Sequence, residues 1–114
     1  METALETITW VKACKKEDIP ANGGACVLIS EEQVAIYNFE RRGEWYATQN
    51  LCPHKQQMAL SRGMIGSLDG EPKVACPFHK KNFSLKSGVC LGDEDFQLKV
   101  YPVKLVEDEV FIGL

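Results

Sequence analysis

Two short segments of the chain each place one cysteine close to one histidine: Cys52-Pro53-His54 and Cys76-Pro77-Phe78-His79. Residues 55–75 separate them, and together they contain both histidines of the chain. Thiolate sulfur and neutral imidazole nitrogen are ligands for zinc, copper and iron. In each segment a proline follows the cysteine, and its fixed φ stiffens a turn from which two side chains can reach one metal centre. The pattern therefore predicts a centre held by two cysteines and two histidines from two loops.

Two kinds of metal centre use this set of ligands. In a Rieske-type [2Fe–2S] centre two histidines replace two cysteines on one iron, and the reduction potential rises to about −150 to +300 mV, against about −400 mV in plant-type ferredoxins. A mononuclear zinc site uses the same side chains, but its usual spacing groups cysteine with cysteine and histidine with histidine. Each segment here mixes the two, which favours the iron–sulfur centre and one-electron transfer. The third interpretation is that the two Cys–His pairs are unrelated. The position of both histidines shortly after Cys-Pro argues against it.

Composition limits the classes of function open to the chain. Its 114 residues are 45% hydrophobic and 25% charged, which is typical of one soluble globular domain, and we expect a single domain over residues 1–114. A net charge of −3 argues against general binding to nucleic acid. No apolar run approaches the roughly 18 residues that cross a membrane, and residues 1–9 carry no basic cluster of a secretory signal. We therefore expect neither nucleic acid nor a membrane as a partner.

Five cysteines in a chain without a predicted secretory signal indicate a reducing compartment, the cytoplasm, rather than a disulfide framework. Beside Cys52 and Cys76, the chain has Cys14, Cys26 and Cys90. Cys14 and Cys26 lie near apolar, strand-like segments and are expected to be small buried side chains. Cys90 follows the second Cys–His segment closely and is expected to be structural, with a role beside the metal centre as the alternative.

Short segments of strand-forming residues alternate with turn residues along the chain. The predicted strands cover residues 8–11, 26–29, 34–39, 44–48, 64–67, 73–75, 82–85, 98–105 and 110–112. Hairpins are expected at residues 30–32 and at Asp69-Gly70, since Asp-Gly between two apolar segments is a strong hairpin signal. One helical turn is expected at residues 16–18. The pattern predicts an all-β, antiparallel sandwich or barrel, with the two Cys/His loops in a small cluster-binding lobe at about residues 51–85.

Several further segments resemble one known family. They are residues 33–36, Leu60-Ser61-Arg62-Gly63-Met64-Ile65-Gly66, residues 76–85, Ser87-Gly88-Val89-Cys90-Leu91 and Tyr101-Pro102-Val103-Lys104. With the two Cys–His segments they make nearly the whole chain similar to Rieske [2Fe–2S] domains, and within these to the small subunit of assimilatory NAD(P)H-dependent nitrite reductase. The Leu-Ser-Arg-Gly segment and the pair Lys80-Lys81 distinguish this subfamily from other Rieske ferredoxins.

The resemblance implies a Rieske cluster with Cys52 and Cys76 on one iron and His54 and His79 on the other. It also implies a large partner subunit that carries FAD, a [4Fe–4S] cluster and sirohaem and reduces nitrite to ammonium in nitrate assimilation. The chain has no G-x-G-x-x-G dinucleotide signature, so we expect it to contribute an electron-transfer cluster and no catalytic residue to this oxidoreductase. Two alternatives stay open: a free Rieske ferredoxin that supplies an oxygenase, and a structural subunit with a vestigial cluster.

The chain departs from the family at positions near the second histidine. Lys80 replaces a glycine found in many Rieske domains, so the second loop is expected to follow a different path. High-potential members carry hydroxyl donors to the cluster sulfurs at the positions of Lys81 and Phe83, and neither side chain has a hydroxyl. We therefore expect a potential at the low end of the Rieske range, roughly −150 mV to 0. Lys55, Lys80 and Lys81 form a basic group. It is interpreted as a docking surface for an acidic partner, as positive charge that eases reduction of the cluster, or as ordinary solvated lysines.

Overall fold

The computed structural model describes residues 10–29, 31–39, 43–52, 57–58, 60–68, 70–76, 82–91 and 97–113. Its strands are β1 (Trp10–Lys15), β2 (Gly23–Ile29), β3 (Glu32–Phe39), β4 (Glu44–Gln49), β5 (Leu51–Cys52), β6 (Gln57–Met58), β7 (Met64–Leu68), β8 (Glu71–Ala75), β9 (Asn82–Ser84), β10 (Val100–Tyr101), β11 (Val103–Val106) and β12 (Glu109–Gly113). Two 3₁₀ turns accompany them, Lys16–Asp18 and Leu60–Arg62, the first as predicted. Over these residues the all-β prediction is confirmed, and no helix is long and apolar enough to cross a membrane.

The strands form a base and a lobe. The base consists of the sheet β1-β12-β11 and the sheet β10-β4-β3-β2. The sheet β7-β8-β9 and the pair β5-β6, which lie between β4 and β10 in the chain, are called the lobe. All pairs between these strands are antiparallel. Short connections join most neighbouring strands, whereas β1 pairs with β12 and β4 pairs with β10 across long stretches of the chain.

Strand β3 is buried on both faces, because side chains alternate between the two faces of a strand. Val34 and Ile36 pack in the first core, which the sheet β1-β12-β11 covers. Ala35, Tyr37 and Phe39 pack in a second core. The other buried members of the second core are Leu60, Val74, Cys76, Phe83, Leu85, Cys90 and Leu98. The lobe therefore shares its hydrophobic core with β3 of the base.

Two hairpins have the short connections that the turn residues predict. In the first, Ile29 pairs with Glu32, and in the second, Leu68 pairs with Glu71, so two residues connect the strands in each case. The described residue of each connection has a positive φ, 69° at Glu31 and 84° at Gly70. Positive φ in a two-residue connection is typical of the turns whose twist matches that of the flanking strands.

The predicted strand at residues 98–105 is wrong as a single element. The structure divides this run into β10, which pairs with β4, and β11, which pairs with β12 of the other sheet. Pro102 lies between them, and because proline has no backbone N–H it often marks a strand boundary. Its carbonyl oxygen accepts a hydrogen bond of 2.9 Å from the backbone N–H of Gly113. The division explains why the side chains of this run follow no single alternation.

The expectation that Cys26 is buried is also wrong, whereas Cys14 is half-buried against the first core. The reason is the alternation along β2, which directs Ala25, Val27 and Ile29 to the first core and leaves Cys26 on the outer face. The Cys26 thiol approaches the Gln33 side-chain oxygen at 3.5 Å. Partial burial raises the pKa of this thiol above its ordinary value.

Tyr37 makes stability depend on pH in the alkaline range. Its side chain is fully buried and its hydroxyl lies 3.1 Å from the Thr48 hydroxyl. Burial raises the pKa of Tyr37 well above its ordinary value of 10.0, so the phenolate forms more readily in the unfolded chain. The contribution of Tyr37 to stability is therefore complete below pH 10 and is lost as the pH rises above it.

We expect Tyr37→Phe to flatten the alkaline decline in the free energy of unfolding, measured by urea titration from about pH 8 to about pH 11. Below pH 10 the variant is expected to be less stable by a constant amount, about 1 kcal/mol, for the lost hydrogen bond. Stability curves that stay parallel above pH 10 would contradict the assignment to Tyr37.

Candidate metal centre

Both Cys–His segments lie in the loops of antiparallel hairpins. β5 and β6 pair Cys52 with Gln57, which closes a loop over residues 53–56. β8 and β9 pair Ala75 with Asn82, which closes a second loop over residues 76–81. The strand ends on either side of each Cys–His segment are therefore neighbours.

Cys76 is the predicted ligand whose side chain the structure describes. It follows the last residue of β8 and is fully buried in the second core, together with Leu60, Val74 and Phe83. Its thiol is free of a disulfide. The Cys76 thiol is therefore shielded from bulk water, and because it forms no disulfide it can serve as a metal ligand.

The other predicted ligands are described in part or not at all. Cys52 is the last residue of β5, and the structure describes its backbone alone. His54 and His79 lie outside the described residues, as do Lys55, Lys80 and Lys81 of the basic group. The structure thus brings the two cysteines to strand ends of the same lobe, and the complete set of four ligands stays a prediction.

The start of the first loop is fixed by a side chain that the sequence analysis did not identify. The Gln49 side-chain nitrogen donates to the carbonyl oxygen of Leu51 at 2.7 Å, and its side-chain oxygen accepts from the backbone N–H of Lys99 at 2.9 Å. The backbone N–H of Gln49 also donates to the Lys99 carbonyl oxygen at 2.9 Å. Lys99 is 50 residues away in the chain, so no local pattern indicates this contact.

The second loop is supported by β9 and the segment after it. The Lys73 ammonium donates to the Asn82 side-chain oxygen at 2.8 Å, between neighbouring strands. The Asn82 carbonyl oxygen accepts from the backbone N–H of Leu91 at 2.8 Å. Cys90 pairs with Phe83 in an isolated bridge and is 5% exposed within the second core. These contacts agree with the structural role expected for Cys90.

Comparisons with known proteins connect the chain with two kinds of protein. It is 37% identical over 101 residues to the nitrite reductase (NADH) small subunit of Escherichia coli, covering 89% of this chain and 94% of the relative. It is 33% identical over 109 residues to the ferredoxin component of the naphthalene 1,2-dioxygenase/salicylate 5-hydroxylase systems of a Ralstonia species, covering 95% of this chain and 98% of the relative.

The fold is shared with solved structures. The solution structure of the nitrite reductase [NAD(P)H] small subunit from Erwinia carotovora matches with a TM-score of 0.78 and 30% sequence identity, covering 92% of this chain and 81% of that one. The family model of the Rieske-like [2Fe–2S] domain matches residues 9–113, the whole interval that contains both hairpin loops. With this match over nearly its entire length, the chain belongs to the Rieske-like [2Fe–2S] domain family.

Proposed function

We propose that Cys52, His54, Cys76 and His79 hold a Rieske [2Fe–2S] cluster, with the cysteines on one iron and the histidines on the other. The domain would comprise residues 1–114, and the cluster-binding lobe would comprise about residues 51–85. Two thiolates and two imidazoles in two hairpin loops are the donor set that such a cluster requires. When bound, the cluster supplies a site that accepts and releases one electron.

The position of Cys76 fits this assignment. Its side chain is fully buried and free of a disulfide, at the point where β8 ends and the second loop begins. Burial beside Leu60, Val74 and Phe83 keeps water from the Cys76 thiol.

The chain is proposed to act as the electron-transfer small subunit of a cytoplasmic NAD(P)H-dependent nitrite reductase. The observation that carries this proposal is the likeness to the Escherichia coli small subunit, which extends over 89% of the chain. The partner would be a large subunit with FAD, a [4Fe–4S] cluster and sirohaem, which reduces nitrite to ammonium in nitrate assimilation. The chain would contribute no catalytic residue of its own, since its predicted ligands are occupied in holding the cluster.

A free ferredoxin that delivers electrons to an oxygenase is the second candidate. The likeness to the Ralstonia ferredoxin component, at 33% identity, favours it. The Leu-Ser-Arg-Gly segment and Lys80-Lys81, which mark the nitrite reductase subfamily, favour the first candidate. A structural subunit with a vestigial cluster is the third, and the retention of all four predicted ligands counts against it.

We expect the purified chain to contain about two iron atoms, and its dithionite-reduced form to give a Rieske-type EPR signal. An EPR-monitored titration is expected to give a midpoint potential of roughly −150 mV to 0, because Phe83 offers no hydroxyl to a cluster sulfur. One zinc and no iron per chain, persisting after anaerobic reconstitution, would contradict the assignment.

Reconstitution distinguishes the partners. Added to a separately produced nitrite reductase large subunit, the cluster-loaded chain is expected to restore NAD(P)H-dependent nitrite consumption, whereas the chain without its cluster is not. Restoration by both forms would support the structural subunit. Efficient reduction of an oxygenase component, without any effect on nitrite consumption, would support the free ferredoxin.

A further inference from the structure

The segment Leu60–Gly63 is a compact turn between the two hairpin loops, which we call the spacer turn. It consists of the 3₁₀ turn Leu60–Arg62 and the glycine after it, and the backbone N–H of Gly63 closes it by donating to the Leu60 carbonyl oxygen at 3.0 Å. The same residues form the Leu-Ser-Arg-Gly motif. A function in electron transfer does not by itself explain the presence of this motif.

One side of the spacer turn is bonded to Asn50, two residues before Cys52. The Asn50 carbonyl oxygen accepts from the backbone N–H of Leu60 at 3.1 Å. The Asn50 side-chain oxygen accepts from the backbone N–H of Ser61 at 2.8 Å. Asn50 therefore satisfies the first two backbone donors of the turn, which have no acceptor within a 3₁₀ turn.

The same asparagine is attached to the base. Its side-chain nitrogen donates to the Gln33 side-chain oxygen at 2.9 Å, and its backbone N–H donates to the Gln33 carbonyl oxygen at 3.2 Å. Its side-chain nitrogen also lies 3.5 Å from the Cys26 sulfur. Asn50 is only 2% exposed, so these groups cannot exchange their partners for water without local opening.

The other side of the spacer turn lies against the strand that leads to Cys76. Met64, directly after the turn, pairs with Ala75. A Cβ atom at Gly63 would lie 2.2 Å from the Ala75 carbonyl oxygen and 2.9 Å from a methyl group of Val74. Only glycine permits this approach of the two backbones, and Ala75 is the residue directly before Cys76.

We propose that the spacer turn sets the separation of Cys52 and Cys76, and that Asn50 is a positioning residue for the cluster. The inference rests on the proposed function, because it takes these cysteines as the ligands. Asn50 fixes the turn to the strand end before the first loop, and the close contact at Gly63 fixes it to the strand end before the second. Movement of the turn would change the distance between the two thiolates that must bind one iron.

The test compares Asn50→Leu with Thr48→Val in the cluster-loaded chain. Leucine has the branched shape of asparagine and the same number of side-chain heavy atoms, but it can form none of the side-chain hydrogen bonds to Ser61, Gln33 and Cys26. Thr48 is also fully buried, and its hydroxyl contacts the Tyr37 hydroxyl and the Gln49 carbonyl oxygen within the base. Both variants therefore lose a buried polar group from the same stretch of chain, but only one of the groups bonds to the spacer turn.

We expect Asn50→Leu to release iron to a chelator about 10–100-fold faster than the unchanged chain and to broaden its EPR signal. For Thr48→Val we expect release within about 2-fold of the unchanged chain at a comparable loss of thermal stability. If Asn50→Leu does not fold, Gln33→Ala takes its place, because it removes the side-chain acceptor that Asn50 shares with the Cys26 thiol and leaves Asn50 itself unchanged. Its release rate is then expected to exceed that of Thr48→Val.

The outcomes separate this inference from the proposed function. The role of Asn50 would be overturned if the unchanged chain holds iron and the Asn50→Leu or Gln33→Ala variant has the same release rate and EPR signal as Thr48→Val. The cluster assignment would then stay intact. An unchanged chain that never holds iron would overturn the cluster assignment itself.

Discussion

Cys76→Ala is expected to eliminate the cluster, reducing iron from about two atoms per chain to near zero and abolishing the EPR signal. The iron bound by two thiolates cannot keep its coordination when one is replaced by a methyl group, and the buried position of Cys76 offers no route for a solvent ligand. In the reconstituted complex, NAD(P)H-dependent nitrite consumption is expected to fall to the level of the large subunit alone. Iron analysis, EPR and the turnover assay on one preparation check the three results.

Cys90→Ala is the matched control for this prediction. Cys90 lies in the same core as Cys76, is 5% exposed and is also a free thiol. Its replacement is expected to cost about 1 kcal/mol of stability and to leave the iron content unchanged. Iron at the level of the unchanged chain in both variants would show that Cys76 is not a ligand. Loss of iron in both would show that Cys90 has a role at the centre.

Gly88→Ala is expected to lower the free energy of unfolding by about 2–4 kcal/mol. Gly88 has a φ of 82°, a conformation that costs L-residues energy, and a Cβ atom there would lie 2.2 Å from the Leu98 carbonyl oxygen. The contact cannot relax cheaply, because the backbone N–H of Leu98 donates to the Gly88 carbonyl oxygen at 2.7 Å. Urea unfolding of the variant and the unchanged chain gives the difference.

Gly70→Ala separates the two causes of this loss. Gly70 has a φ of 84°, nearly that of Gly88, but a Cβ atom there would meet nothing within 4 Å. Its replacement is expected to cost about 1 kcal/mol, the conformational part alone. If the two substitutions cost the same, the close approach of Gly88 to Leu98 makes no contribution to stability.

The features that the sequence predicts correctly depend on neighbouring residues. The Asp69-Gly70 hairpin, the hairpin after Ile29 and the helical turn at Lys16–Asp18 each follow from a few adjacent residues whose backbone preferences are strong. The strands on either side of the second Cys–His segment are likewise predicted, at residues 73–75 and 82–85, whereas the short strands β5 and β6 beside the first segment were not predicted. Such preferences act over two to five residues and need no knowledge of the partner strand.

The predictions that were wrong required knowledge of which sheet a strand joins. A period of two shows that Cys26 and its neighbours alternate, but only the packing of the face with Ala25 and Val27 against the first core decides that Cys26 faces outward. The run at residues 98–105 reads as one strand, and only pairing with β4 on one side and β12 on the other divides it at Pro102.

By itself, the sequence determined the all-β class, the two Cys–His loops and the family, because chemical type and short spacing are properties of neighbouring residues. Only the tertiary structure revealed that Asn50 bonds to Gln33 and Ser61, which are 17 and 11 residues away, and that Gly63 lies against Ala75. These contacts depend on how the lobe packs on β3, through a core that the two units share. Interactions between residues far apart in the chain have no local signature, so these contacts became visible only in the folded molecule.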